Sequence, residues 1–234
     1  MSVPFFYEPK LVDANLPFVL SETTSKHCVQ VLRMKIGQPL NLTDGKGNLF
    51  NASLLSADKQ KSVALIEKIS FTTQPNNCNS IGISLLKNAD RFEWMLEKIT
   101  EIGIIEIYPL ICKRTEHQRF RYDRMQQILI AAMLQSEQVW LPVLNEPIDV
   151  VQLMNIATHT QKLIAHCEDD SKNTINNLLT SSNSLILIGP EGDFTPEEIS
   201  LAKSKAFLPV SLGNTRLRTE TAGVVAITLL ANRS

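Results

Sequence analysis

Two stretches decide the fold: SLILIGPEGDF, residues 184–194, and PVSLGNTRLRTETAG, residues 209–223. In each, a short apolar run empties into a loop rich in glycine and charge. Ligands of α/β sheets bind outside the carboxyl ends of the strands, so two such loops on neighbouring strands predict one shared crevice. Gly189 and Gly192 bracket Pro190 and Glu191 in a tight turn that lets backbone approach a ligand closely. Thr195, Pro196 and Glu198 follow as N-cap, first-turn proline and capping-box glutamate, so a helix starts there. Taken alone, Gly-Pro-Glu-Gly is an ordinary strand-to-helix turn. In the second stretch Gly213 closes an apolar run, Arg216 and Arg218 come next, and Thr219 is placed to cap a last helix built on Ala222, Val224, Val225, Ile227, Leu229 and Leu230.

The chain before these loops alternates strand with helix. Residues 81–86 read as a strand, and 90–102 as a helix with Asp90 and Glu93 as cap and box and Gly103 as its stop. Residues 104–110 read as a second strand. That is a βαβ unit, hence a parallel sheet. A helix over about 122–138 and a strand over 162–167 continue the pattern. Residues 1–70 instead read as short strands with a glycine turn at Asp44-Gly45-Lys46-Gly47. Between those strands, helical spacing over 27–34 sets Cys28, Val31 and Leu32 on one side and His27, Gln30 and Arg33 outward. Residues 71–80 are polar and read as a linker. The expected architecture is a small β-barrel domain over residues 1–72 followed by an α/β parallel-sheet domain over 80–234.

With 23 Lys+Arg against 24 Asp+Glu, the net charge of −1 excludes an overall electrostatic grip on nucleic acid and requires local patches. One lies at Lys113, Arg114, Arg119, Arg121 and Arg124, interleaved with His117, Phe120 and Tyr122. Basic side chains neutralise phosphates and aromatic rings stack on unpaired bases, so this segment is a candidate RNA-facing loop. Cys28, Cys78, Cys112 and Cys167 lack CxxC spacing, which predicts reduced thiols, no disulfide framework and no metal site. The apolar runs fall short of the roughly 18 residues of a spanning helix, and no basic flank precedes an apolar leader. The expected location is therefore the cytoplasm, with no membrane partner.

The loops IGPEG and LG…LRTETA resemble those of the SPOUT class of methyltransferases, and more narrowly those of the RsmE family. His27 to Arg33 followed by DGKG resembles that family's PUA-like amino-terminal domain, and Lys87 to Gly103 resembles the family's helix between two strands. The resemblance implies S-adenosyl-L-methionine as cofactor and uracil N3 of 16S ribosomal RNA, within the small ribosomal subunit, as acceptor. It also implies a deep trefoil knot in the carboxyl-terminal chain and a homodimer. The implied cofactor site takes Ile188, Gly189, Pro190, Glu191 and Gly192 from the first loop. From the second it takes Leu212, Gly213, Asn214, Leu217, Arg218 and Thr221, with His166 and Glu168 as a third wall. The implied RNA contacts are His27, Arg33, Lys113, Arg114, Arg119 and Arg121.

Uracil N3 carries a proton and is a poor nucleophile, so its methylation needs a proton acceptor and a group that stabilises the anion left behind. Arg218 is placed for the second task, and Glu220 or a water for the first. Three departures from the family pattern stand out, the first being that the chain begins Ser2-Val3-Pro4 where the family places a basic residue that would contact RNA. Asp193 occupies the place where the first loop ends in glycine, although aspartate tolerates left-handed backbone better than most residues. Leu134, Gln138 and Trp140 replace a more polar or basic set. The rival readings are a knotted methyltransferase with another acceptor, such as a ribose 2'-hydroxyl, and an RNA-binding protein without catalysis.

Overall fold

The computed structural model describes residues 3–11, 16–75, 78–116, 119–168, 172–178, 181 and 183–232. Residues 1–74 with 133–141 form one compact unit, and 75–132 with 142–234 form another. Among the described residues no helix is long and apolar enough to cross a membrane.

In the first unit β1 (Phe5–Tyr7), β2 (Pro17–Val19), β3 (Pro39–Thr43), β4 (Asn48–Ser56) and β5 (Val63–Phe71) make a sheet in the order β1-β3-β4-β5-β2. Alternate residues Leu40, Leu42, Phe50, Ala52, Leu54, Ala64 and Ile66 point into one core, as the two-residue period of a strand requires. α1 (Glu22–Lys26), capped by the Ser21 hydroxyl, runs into a turn of π-helix at His27–Val31. The apolar side expected over 27–34 is therefore only partly present. Cys28 is fully buried, yet Val31 and Leu32 are 67% and 43% exposed. The i→i+5 closure of Leu32 N on His27 O departs from the 3.6-residue period, and Arg33, with φ 51°, ends the helix.

The β3–β4 turn explains why residues 133–141 join this unit. Gly47 N donates to Val139 O and Leu141 N to Gly45 O, both at 2.9 Å, while the Trp140 indole N–H donates to Thr72 O at 2.8 Å. The Trp140 ring meets Phe71 edge-on at 6.0 Å. The hydropathy pattern leaves this segment in the larger domain because these bonds join residues far apart in sequence.

The second unit begins with β6 (Cys78–Ser84), α2 (Ala89–Ile102) and β7 (Glu106–Ile111), followed by α3 (Tyr122–Gln135), β8 (Val143–Leu144), β9 (Ile148–Asp149) and α4 (Val150–Ile156). Then come β10 (Gln161–Ala165), β11 (Asn173–Thr174), β12 (Asn183–Ile188), α5 (Pro196–Ser204), β13 (Leu208–Ser211) and α6 (Thr219–Ala231). The strands pair in parallel in the order β11-β13-β10-β12-β6-β7-β8, with β9 also on β7. Several expectations change. Residues 78–80 belong to β6 rather than to a linker, and Asn79 and Ser80 are buried, since a parallel sheet is covered on both faces whatever its residues. Asn88, not Asp90, caps α2 through bonds to Asp90 N and Arg91 N, and Gly103 ends that helix at φ 97°. The two loop-bearing strands are not neighbours, because β10 lies between them. Arg218 occupies the N-cap position of α6 with extended backbone and no side-chain cap, while Thr219 is the first helical residue and is buried.

The turn at Gly47 gives a stability test. At φ +94° its added Cβ would lie 2.5 Å from Trp140 Cζ2, 2.7 Å from Phe71 Cε2 and 2.8 Å from Thr72 O. Gly37, at φ +83°, has open space around it. Gly47→Ala is expected to destabilise the first unit by roughly 2–4 kcal/mol and Gly37→Ala by about 1 kcal/mol, read from urea midpoints by tryptophan fluorescence. Equal midpoints for the two variants would contradict the packing of Trp140 on this turn.

Candidate active site

Strand register sets the position of the crevice. Ala165 of β10 stands level with Ile188 of β12 and with Val210 of β13, and Ile188 stands level with Ile83 of β6. Just beyond that row the strands release three loops, 166–168, 189–194 and 212–218. Two abutting cavities of about 480 and 460 Å³ open among them and share Ala165, Cys167, Arg216, Leu217 and Ala222. Each falls within the roughly 300–1,000 Å³ of small-molecule sites.

The first loop is tied down from several directions. Asp193 adopts φ 64°, its amide donates to Pro190 O at 2.9 Å, and its carboxylate accepts from Cys167 N at 2.7 Å and from Phe194 N at 2.8 Å. The Arg114 guanidinium donates to Gly192 O at 2.7 Å and to Phe194 O at 3.3 Å. The expected capping box is present: Thr195 Oγ1 accepts from Glu198 N, and the Glu198 carboxylate accepts from Thr195 N and from Lys113 N. Gly189 packs closely, since a Cβ there would meet the ring and amide of Phe194 at 3.0–3.2 Å and Phe194 would have to give by a few tenths of an ångström. In the second loop Gly213 has φ 139°, and Ser211 Oγ accepts its amide while donating to its carbonyl.

The two cavities differ in charge. Arg91, Arg216, Arg218, Glu191, Asp193 and Glu220 line the larger. The smaller has Lys172 and Arg216, with His166 and no carboxylate among its described residues, beside the otherwise uncharged run from Val210 to Leu217, so its lining carries the net positive charge. Glu220 is buried, and its Oε1 lies 3.8 Å from Nε of the half-exposed Arg91. In the larger cavity the three arginines are matched by three carboxylates, and the amino terminus of α6 beside Arg218 adds the positive end of a helix dipole.

Of the residues expected around the cofactor, Ile188, Gly189, Pro190, Glu191, Leu217 and Arg218 line the larger cavity. His166, Leu212, Gly213, Asn214 and again Leu217 line the smaller. Gly192, Glu168 and Thr221 line neither: the Gly192 carbonyl holds Arg114, the Glu168 carbonyl holds the Lys172 ammonium, and Thr221 sits half-buried on α6. Cys167, Lys172 and above all Arg91 line the crevice without being expected there from the sequence, whereas Arg216 falls within the expected second loop. Cys167 was legible as the residue between His166 and Glu168, whereas nothing in the sequence joins the first turn of α2 to Glu220.

Among the basic residues expected to meet RNA, His27, Arg33, Lys113 and Arg119 are exposed, and the His27 ring meets Phe6 edge-on at 5.5 Å. Arg114 faces the first loop, as described. Arg121 lies 3.5 Å from Glu93, which also takes Arg124 at 2.8 Å, so Glu93 joins these arginines rather than boxing the start of α2. The hydrogen bond from Arg124, reinforced by the charges of Arg124 and Arg121, holds the Glu93 carboxyl below its usual range. Phe120 meets Phe92 and Tyr122 edge-on at 6.2 and 6.3 Å. His117 lies outside the described residues.

A parallel sheet whose carboxyl-end loops close on such a crevice is an α/β ligand-binding domain, and its sequence places it in the class described as an RNA methyltransferase domain. A family model of that description matches residues 74–231, and one described as an RNA methyltransferase PUA domain matches 20–67. The chain is 31% identical over 217 residues to the ribosomal RNA small subunit methyltransferase E of Mesomycoplasma hyopneumoniae, covering 90% of this chain and 92% of that protein. It also resembles the crystal structure of a probable rRNA methyltransferase from Porphyromonas gingivalis, with TM-score 0.89, 35% identity and 96% and 95% of the two chains covered. The ribosomal RNA small subunit methyltransferase E of Neisseria gonorrhoeae, solved bound to S-adenosyl methionine, matches with TM-score 0.88, 27% identity and 97% and 95% coverage. The chain belongs to the ribosomal RNA small subunit methyltransferase E family.

The cysteines report whether the crevice is open. Burial pushes the Cys28 thiol up to about 11 and the Cys112 thiol up to about 12, whereas Cys167 is exposed between the two cavities. At pH 8 about one Cys28 in a thousand is thiolate, so iodoacetamide is expected to modify Cys167 well before Cys28 or Cys112, followed by peptide mass spectrometry. Modification of Cys167 no faster than Cys28 would contradict an accessible crevice.

Proposed function

We propose that this protein uses S-adenosylmethionine to methylate N3 of a uracil in 16S ribosomal RNA of the small ribosomal subunit, and that it does so as a homodimer. The observation that carries the reading is the union, in one crevice, of a cavity bounded by the loop from Ser211 to Leu217, with Lys172 and Arg216 as its charged residues, and a cavity in which three arginines stand beside the buried carboxylate of Glu220. Backbone groups of residues 188–191 and 212–217, with His166 beside them, would hold the cofactor. The cofactor supplies an electrophilic methyl group on a sulfonium. Gly189 and Gly213 suit that cradle, one by close packing and the other by its left-handed φ.

The rest is work for the chain's own side chains. As the N3 proton leaves the uracil, Arg218 and the amino terminus of α6 favour the negative charge that spreads over the ring. Glu220, lining the same cavity, accepts that proton directly or through a water. Arg91 faces the Glu220 carboxylate from α2. Exposed His27, Arg33, Lys113 and Arg119 offer phosphate contacts, with Arg121 shared between RNA and Glu93. The terminal chain runs from β13 on one side of β10 back to α6, which packs on β6 and α2 on the other side. That course supports a knotted path. Trp94 on α2, 45% exposed, and the half-buried Val224, Val225 and Leu229 on α6 supply an apolar face for a second copy.

Incubation with small ribosomal subunits and S-adenosylmethionine, followed by nucleoside mass spectrometry, is expected to give 3-methyluridine. A ribose-methylated product would favour the 2'-hydroxyl as acceptor, and RNA binding without any product would favour a binding protein. Light scattering is expected to give about twice 26.2 kDa. Arg218→Ala is expected to lower turnover by about 10²-fold while S-adenosylhomocysteine affinity stays within a few-fold. Arg119→Ala is expected to weaken RNA binding, reduce its salt dependence and spare turnover at saturating RNA. An Arg218→Ala enzyme with normal turnover and weakened RNA binding would assign Arg218 to phosphate instead.

A further inference from the structure

The first loop of the crevice carries a tie that belongs to this chain's own sequence. Asp193 stands at its end with φ 64°, a conformation that glycine and asparagine also adopt readily. Its side chain does more than tolerate that backbone. One carboxylate oxygen accepts from the following amide, Phe194 N, at 2.8 Å, and the other reaches across to Cys167 N at 2.7 Å. Cys167 is in the loop that leaves β10, the strand lying between β12 and β13. Both Asp193 and Cys167 line the larger cavity, and Cys167 lines the smaller as well. Arg114 holds the same loop through Gly192 O and Phe194 O.

We propose that Asp193 is a positioning residue: by holding the Cys167 amide, its carboxylate locks the loop 189–194 to the end of β10 and sets the spacing between two walls of the cofactor cavity. The inference rests on the methyltransferase reading for the identity of the ligand, though the tie itself does not. Only a carboxylate suits both bonds, because it presents an acceptor to each of two amides. A carboxamide has a single oxygen and would turn its NH₂ toward one of the two N–H donors. A glycine keeps the backbone and offers neither acceptor. Asp193→Asn and Asp193→Gly therefore separate a backbone role, which both satisfy, from the side-chain tie, which neither preserves.

The experiment uses the full chain. S-adenosylhomocysteine affinity is measured by calorimetry for the unaltered protein and both variants, together with amide hydrogen exchange at Cys167 and the thermal midpoint. Both variants are expected to bind S-adenosylhomocysteine about tenfold more weakly, the scale of one lost charge-assisted hydrogen bond. They are also expected to exchange the Cys167 amide faster, while their thermal midpoints stay within a few degrees of the unaltered protein. Saturating S-adenosylhomocysteine should restore part of the protection at Cys167. Unchanged affinity in both variants would overturn the proposal, and so would weaker binding without faster exchange at Cys167. Failure of the unaltered protein to bind S-adenosylhomocysteine would count against the methyltransferase reading instead, and the exchange rate at Cys167 in the variants would then decide the tie by itself.

Discussion

The crevice depends on the parallel pairing of β10 with both β12 and β13. Parallel strands all release their chains at the same end of the sheet, so residues 166–168, 189–194 and 212–218 converge without any of the loops having to be long. The pairing also sets depth. Because Ala165, Ile188 and Val210 stand in one row, the loops begin level with one another, and two cavities open directly above that row. A slip of one residue in either pairing would turn every side chain of that strand to the opposite face.

A parallel sheet must be covered on both faces, and the two faces of β6 show how this sequence allows it. Gly82 points to one face, where an added Cβ would meet Leu187 at 2.7 Å and Leu153 of α4 at 3.1 Å. Its neighbours Ile81 and Ile83 point to the other, where they meet Gly223 of α6, whose own added Cβ would lie 2.8 Å from Ile83. Small residues thus bring a helix close on each side. The approach of α6 matters for chemistry, since the amino terminus of that helix, with Arg218, Thr219 and Glu220, forms a wall of the larger cavity.

Charge is divided with similar economy. With 23 Lys+Arg set against 24 Asp+Glu the chain has no overall surplus of positive charge for RNA, and several of its arginines already serve its own fold. Arg114 binds carbonyls of the first loop, Arg121 and Arg124 converge on Glu93, and Arg91 faces Glu220. In these pairs the arginines are half-exposed but the carboxylates of Glu93 and Glu220 are 14% and 9% exposed, so solvent screens them only in part. They join Arg121 and Arg124 to Glu93 of α2, and Arg91 of α2 to Glu220 at the start of α6. The basic run at 113–124 is therefore partly a fastening and only partly a free cationic surface.

The sequence by itself determined the local pieces. The Pro190–Asp193 turn of the first loop, the Thr195-Pro196-Glu198 start of α5, the Gly103 stop of α2 and the Asp44 bonds to the amides of Lys46 and Asn48 each span no more than about five residues, so composition and spacing reveal them. The same holds for the β-rich first part and the alternating second part, which follow from hydrophobic period. Tertiary structure alone decided that β10 separates the two loop-bearing strands, that residues 133–141 pack against the β3–β4 turn, and that Arg91 meets Glu220. It also decided that Asn88 rather than Asp90 caps α2, and that Asp193 serves the neighbouring loop through Cys167. Strand order and side-chain ties across loops are settled by packing and loop closure between distant segments, and such long-range terms leave no periodic mark on the residues that take part.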